Sequence, residues 1–300
     1  EHYFHVLKKP YPDYGFTPDS DFPLIFGEKG IRNFEPTWKL EIPHVKSIKA
    51  GVVSNAVADK AEVVMDDVTE LANYLVKNNI AHEVKDNSVI VLGKTCHGSV
   101  PHLGDNAALK LFKAIGEIYN IKTLKDLGEK LSETTGKLFN GFADSKLLGT
   151  TTYCVGLASY EKGTLKLTVN FRYPDQVDSN KFIENFDKIF ETKSSVGEES
   201  PCLLYDPKSK LVSTLLKAYR KETFDLRKPL TTGGGTYAKH AKNTIAFGAV
   251  FPGRNTHMHE PNEFIVLKEL YKASEIYARA IYMLGNLKWE LSLNNGLLIT

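Results

Sequence analysis

No stretch of this sequence approaches the roughly 18 consecutive apolar residues that a membrane-spanning helix needs, and its Lys and Arg residues never gather into a basic run. With 38 Lys and Arg against 36 Asp and Glu, the formal net charge is +2. Neither a bilayer nor nucleic acid is therefore an expected partner. Cysteine is scarce: Cys96, Cys154 and Cys202 are an odd number at wide spacing. That argues against a disulfide framework and a cysteine-based zinc site, and for a reducing compartment. The opening residues, Glu1-His2-Tyr3-Phe4-His5, lack both a methionine and the basic-then-apolar pattern of a secretory leader. A cytoplasmic protein is the expectation. Fixed-period repeats and low-complexity tracts are also missing.

What is present is an ordinary globular composition, 42% hydrophobic and 25% charged over 300 residues, enough for two domains with their own cores. Pro and Gly punctuate short apolar pieces from Gly15 to Gly30, which predicts short strands and tight turns. Val63, Val64, Val68, Leu71, Ala72 and Leu75 predict one amphipathic helix over Asp59–Asn78. Asn87–Leu92 reads as a strand, Asp105–Tyr119 and Thr123–Leu131 as helices. Strands at Tyr153–Ser159 and Thr164–Tyr173 flank Glu161-Lys162-Gly163, a hairpin turn. Lys181–Thr192 and Lys208–Phe224 read as helices. A last helix follows Glu260-Pro261-Asn262 to about Leu284, its apolar stripe including Leu267, Leu270, Tyr271, Tyr277, Ala278 and Ile281. The strand–helix–strand rhythm predicts two α+β units in the middle of the chain, with boundaries near residues 40 and 200.

Four stretches concentrate functional residue types. Asp19 and Asp21, in Gly15–Pro23, are either turn residues or hard oxygen ligands for a divalent cation. His97, in a Gly/Pro-bounded loop, Gly93–Pro101, is either a solvated or locally hydrogen-bonded side chain or an imidazole that the rigid loop holds in one pose for a site. Thr231-Thr232-Gly233-Gly234-Gly235-Thr236-Tyr237 is either a flexible loop or a set of approachable amides for an anion. It lacks the lysine of a P-loop and the spacing of a dinucleotide fingerprint, so a carboxylate suits it better than a pyrophosphate. In Phe251–Glu263, His257 and His259 alternate to opposite sides of an extended segment, so one metal ligand is expected there rather than two. Glu260 and Asn262 are alternatively helix caps.

Taken in order, GFTPDSDFP with GEKG, VVSNAVAD, GKTCHGSVPHLGDNA, NFRYP, TGGGTYAK and FPGRNTHMHEPNE resemble the aminoacylase/carboxypeptidase family of co-catalytic metallopeptidases, most closely its PepV-like dipeptidase branch. The resemblance implies an α/β plus α+β fold. A catalytic α/β domain around a mixed sheet (residues 1–40 and 200–300) would carry an inserted lid of two α+β units (41–199). It implies hydrolysis of dipeptides with a free C-terminal carboxylate by a water bridging two divalent ions, zinc or manganese. Asp19, with Asp21 as fallback, and His259 match metal ligands. Asn55 and His97 match lid residues that stabilise the oxyanion, and Arg172 with Gly233, Gly234, Gly235 and Thr236 match the clamp on the substrate carboxylate.

The resemblance places the family's His-x-Asp motif, bridging Asp and Glu-Glu pair ahead of the GFTPD segment, and none of them stands there in these 300 residues. The catalytic domain is thus expected to be incomplete, as part of a longer chain, with an exposed apolar patch that self-associates or pairs with the missing N-terminal part. The alternatives are a non-catalytic binding module of the same fold and an N-acyl-amino-acid deacylase.

Overall fold

The computed structural model describes residues 2–257 and 262–287. It is a mixed α/β structure of two compact units. One comprises Gly27–Leu203 with Thr232–Gly235; the other comprises Glu1–Phe26, Leu204–Thr231 and Thr236–Thr300.

The Gly27–Leu203 unit is built on a nine-stranded sheet. Its order is Ser195–Ser200, Gly30–Glu35, Thr164–Tyr173, Thr152–Glu161, Val45–Ala50, Lys60–Met65, Ser88–Leu92, His82–Lys85, with Thr37–Lys39 pairing off this path with Thr164–Tyr173. Every one of these pairings is antiparallel. The central hairpin turns where the sequence predicts it. Glu161 pairs with Thr164, and both loop residues, Lys162 and Gly163, have positive φ, the backbone that matches strand twist in a two-residue turn. Leu165, Leu167, Val169 and Phe171 alternate into the core. Helices Thr69–Lys77, Ala107–Ile118, Lys122–Lys130 and Ser179–Ile189 add their apolar faces to the same core.

One expectation fails here. Residues 59–78 are not a single helix: Lys60–Met65 is a strand and only Thr69–Lys77 is helical. Ala61, Val63 and Met65 are fully buried while Lys60 and Glu62 face solvent. That is the period of two of a half-buried strand, and β-branched valine favours it. The helical spacing of Val63 and Val64 with the later leucines was coincidental, because the strand pairs on both sides with long-range partners.

The other unit contains a small mixed sheet. Gly15–Thr17 runs parallel to Thr244–Ala246, whose Ala246 pairs antiparallel with Ile25. Ser20–Asp21 runs parallel to Ala249–Val250. Helices Lys210–Thr223 and Leu267–Gly285 pack together, with Leu211, Leu215, Tyr219, Ala273, Ile276 and Ala280 in a core shared with Phe22, Leu24 and Phe247. Arg279 pairs with Glu222 between the two helices. The stripe expected on the last helix is also corrected. Its buried positions are Ala273, Ile276 and Ala280, and Tyr277 of the expected stripe packs against the same core, whereas Leu267, Leu270, Tyr271, Ala278 and Ile281 are exposed. Small residues at a three- to four-residue spacing allow close approach to the neighbouring helix, and hydrophobicity alone mispicked the face. No described helix is long and apolar enough to cross a membrane.

Candidate functional site

The strand Thr164–Tyr173 determines what can gather in the Gly27–Leu203 unit. Since Phe171 and Tyr173 point into the core, Asn170 and Arg172 share the opposite face. Both are nonetheless buried, at 1% and 3% exposure. Arg172 is held by three different segments of this unit. Its Nε donates to Asn170 Oδ1 at 2.8 Å, its Nη1 donates to the Gly233 carbonyl at 2.8 Å, and its Nη2 donates to His97 Nε2 at 3.4 Å. Asn170 in turn donates from Nδ2 to Asn33 Oδ1 at 2.7 Å on the adjacent strand. The network orients the guanidinium from behind. It accounts for three of the five N–H groups of an arginine.

Burial pulls the Arg172 pKa down to about 10, and the nearby Cys154 opposes that shift. Cys154, opposite Asn170 in the register, has its thiol pushed up to about 12 by burial, against the pull of Arg172. It is therefore a packed thiol rather than a nucleophile. Among the described residues no carboxylate forms an ion pair with Arg172. A buried guanidinium of this kind is suited to an incoming anion.

His97 extends from the loop after the strand Ser88–Leu92 and is exposed. Its Nδ1 lies 2.7 Å from Ser99 Oγ. Because arginine can only donate, Nε2 facing Arg172 must accept, which puts the ring proton on Nδ1, toward Ser99. The loop is anchored to the Asn55 segment. Gly98 N donates to Asn55 O at 2.7 Å, and Ala56 bridges His97. Asn55 itself is exposed.

Two glycines are required by close approach. A Cβ at Gly98 would sit 2.7 Å from Asn170 Oδ1 and 3.0 Å from Asn55 O, and one at Gly233 would sit 2.9 Å from Ser99 Cβ. Gly98→Ala is expected to push Asn170, and Arg172 with it, out of position. The measurable result is a lower melting temperature, from a cost of about 1–3 kcal/mol for a disrupted buried hydrogen bond, with the far-UV spectrum unchanged.

The structure thus brings Arg172, His97 and Gly233 together in one unit, with Asn55 one strand-bridge away. Gly234 N donates to Thr232 Oγ1 at 3.0 Å, and Gly235 is exposed. Thr236 belongs to the other unit, where its Oγ1 accepts from Ala238 N at 3.2 Å and caps the short helical turn Tyr237–His240. Asp19, exposed and also in that unit, accepts the Tyr237 amide on Oδ2 at 3.2 Å. Asp21 is half-buried, and burial raises its pKa. His259 lies outside the described residues. Among the described residues no group of three or more His, Cys, Asp or Glu is placed to hold a metal ion.

Sequence reasoning missed two participants. Asn170 was signalled by its i, i−2 spacing from Arg172 on a strand. Ser99 sits two residues from His97 in a loop too irregular for spacing to pair them.

No family model matches the chain. A protein of Staphylococcus epidermidis named "Putative dipeptidase" is 34% identical over 304 residues, covering 91% of this chain and 64% of that protein. One of Staphylococcus haemolyticus, also named "Putative dipeptidase", is 32% identical over 320 residues, covering 95% of this chain and 66% of that protein. Among solved structures, an M20 family metallo-carboxypeptidase of Sulfolobus solfataricus aligns over 90% of this chain and 61% of its own, with 12% identity and a TM-score of 0.44. Human carnosine dipeptidase 1 aligns over 92% and 60%, with 8% identity and a TM-score of 0.44. The chain spans less than two thirds of the length of the curated relatives it matches. By sequence, this chain is a relative of staphylococcal proteins named "Putative dipeptidase".

Proposed function

We propose that this chain is part of a dipeptidase of the M20 peptidase family, in its PepV-like branch, and that its own share of the work is to hold a dipeptide by the free C-terminal carboxylate. The observation that carries this reading is the buried Arg172, oriented by Asn170, Gly233 and His97 and lacking a carboxylate partner among the described residues. A guanidinium offers planar paired donors that match a carboxylate. Such a clamp selects short peptides, since the carboxylate must reach it while the scissile bond lies one residue away. The Gly27–Leu203 unit is, in this reading, the lid.

His97 is proposed as the group that faces the substrate's scissile carbonyl, with Asn55 beside it. In the structure its Nε2 is turned to Arg172 and its Nδ1 to Ser99. A substrate carboxylate that draws the Arg172 Nη groups toward itself releases Nε2. Protonated, His97 could then donate to a developing oxyanion. The ring therefore couples carboxylate capture to the carbonyl site through a single hydrogen bond. The resemblance also asks for two divalent ions, zinc or manganese. The described residues do not make that site: Asp19 accepts a backbone amide, and no cluster of ligands surrounds it. What these residues do by themselves is bind and orient.

The direct test is calorimetric titration of the 300-residue chain with Ala-Ala and with Ala-Ala carrying a C-terminal amide. The free acid is expected to bind at least about tenfold more tightly, the scale of one charge-assisted pair. Equal binding of acid and amide would refute the reading.

A further inference from the structure

Asparagine is depleted in β-strands, yet Asn33 and Asn170 stand directly opposite each other in two adjacent strands, Gly30–Glu35 and Thr164–Tyr173. Cross-strand partners share a face of the sheet, so both side chains lie on the face that carries Arg172. Asn170 is buried and Asn33 half-buried. The neighbours of Asn33 on that face are spoken for. Ile31 is opposite Arg172 and apolar, and Glu35 is paired with Lys166 at 2.7 Å. Asn33 is thus the polar side chain of its strand that meets the Arg172 network.

Arginine fixes the polarity of the pair. Its Nε–H can only donate, so the Asn170 atom 2.8 Å away must be Oδ1. That turns Asn170 Nδ2, a donor, to the other side, where it meets Asn33 at 2.7 Å. The Asn33 atom there must accept, and so must be Oδ1. The chain of bonds has one sense: Arg172 donates to Asn170, and Asn170 donates to Asn33. Without the acceptor at its end, Asn170 is left with a buried, unpaired N–H. Turning the amide over would only set a donor against the Arg172 Nε–H. The Nε bond and the Nη1 bond to the Gly233 carbonyl, 2.8 Å, anchor two nitrogens of one plane, and two such anchors set the direction of the remaining N–H groups.

We infer that Asn33 is a positioning residue for Arg172: through Asn170 it fixes the plane in which the guanidinium meets the substrate carboxylate. The inference rests on the carboxylate-binding reading above and adds to it a residue that acts one hydrogen bond behind the groups facing the ligand. A packing role would give Asn33 a different signature. Its loss would then lower stability and weaken every ligand alike, and whether its replacement accepts a hydrogen bond would be irrelevant.

The test uses the 300-residue chain, with Ala-Ala and its C-terminal amide as probes. Calorimetric titration is run at pH 7 in about 0.3 M salt, which screens added charge. Asn33→Leu removes the acceptor. It is expected to weaken Ala-Ala about fivefold or more and to leave the amide within about twofold, the scale of one lost hydrogen bond. Asn33→Asp keeps only acceptors and is expected to restore the acid to within about threefold of the parent. Without any ligand, proton exchange at Arg172 Nε, followed by NMR, is expected to quicken in the leucine variant and not in the aspartate variant. Should the leucine variant fail to fold by far-UV spectroscopy, Asn33→Ala, too short to reach Asn170, carries the same expectations. The inference is overturned if the acceptor-free variant binds Ala-Ala as the parent does, or if acid and amide weaken together. It is also overturned if the aspartate variant is as weak as the leucine variant, or if Nε exchange is unchanged. The two readings fail differently. A parent whose preference for acid is lost in Arg172→Met and kept in Asn33→Leu sinks the role of Asn33 and leaves the clamp standing. A parent that binds acid and amide alike, or neither, sinks both.

Discussion

Replacing Arg172 by methionine is expected to weaken binding of a free-acid dipeptide by about 30- to 700-fold, and of the corresponding amide far less. The magnitude follows from removing one partner of a desolvated, hydrogen-bonded charge pair, which costs about 2–4 kcal/mol. Methionine is the informative choice because it keeps an unbranched stem on a strand position that is 3% exposed and introduces no polar group to bury. Its effect on folding should be modest. The Gly233 carbonyl and Asn170 Oδ1 each lose a donor, at a cost of about 1–3 kcal/mol apiece if left unpaired. Against that, a buried guanidinium without a counter-charge no longer has to be desolvated. Calorimetry with both probes, together with a thermal melt, separates the two effects. Unchanged affinity for Ala-Ala in a folded Arg172→Met chain would remove the guanidinium from the site.

The second large effect concerns stability. Phe182→Ala should destabilise the Gly27–Leu203 unit by about 3–5 kcal/mol, the range for an aromatic side chain truncated in a packed core. The ring is fully buried and stacks on Phe171 at a centroid distance of 3.8 Å and 11° between planes. Phe139 packs on it edge-on at 5.2 Å and Phe34 at 6.1 Å, while Tyr153 is tilted at 5.8 Å. Its helix, Ser179–Ile189, is started by Asp178, whose Oδ1 accepts from Asn180 N and Lys181 N. A unit of this size should lose about 10 °C in melting temperature. Phe171 is the residue before Arg172, so the clamp should also loosen, and Ala-Ala affinity should fall even where the chain is still folded. Urea unfolding with the intrinsic tyrosine signal would check the first part. A loss below about 1 kcal/mol would show that Phe182 is not central to this cluster.

Legibility varied with how local the determining interactions were. The hairpin through Lys162-Gly163 was readable because turn residues and alternation on both strands are local facts. Helices Ala107–Ile118, Lys122–Lys130 and Lys210–Thr223 were readable for the same reason: each carries its apolar face and its boundaries within its own sequence. Residues 59–78 were misread because short valine-rich segments satisfy both periods. Pairing with Val45–Ala50 on one side and Ser88–Leu92 on the other settled the matter. The last helix was misread because three small or medium residues, Ala273, Ile276 and Ala280, are the contact surface, and composition ranks them below the exposed Leu267 and Tyr271.

For the candidate site, the sequence by itself determined that Arg172 stands on the face of its strand away from the core, since Leu165, Leu167, Val169 and Phe171 claim the other face. It also determined that His97 lies in a tight loop between a strand and a helix. Only the tertiary structure decided that Arg172 is buried rather than solvated, that His97 Nε2 turns toward it, and that the Gly233 carbonyl accepts from it. These depend on residues 97, 172 and 233 meeting across long loops of chain. Spacing along a sequence carries no information about such encounters until the sheet has brought its strands into register.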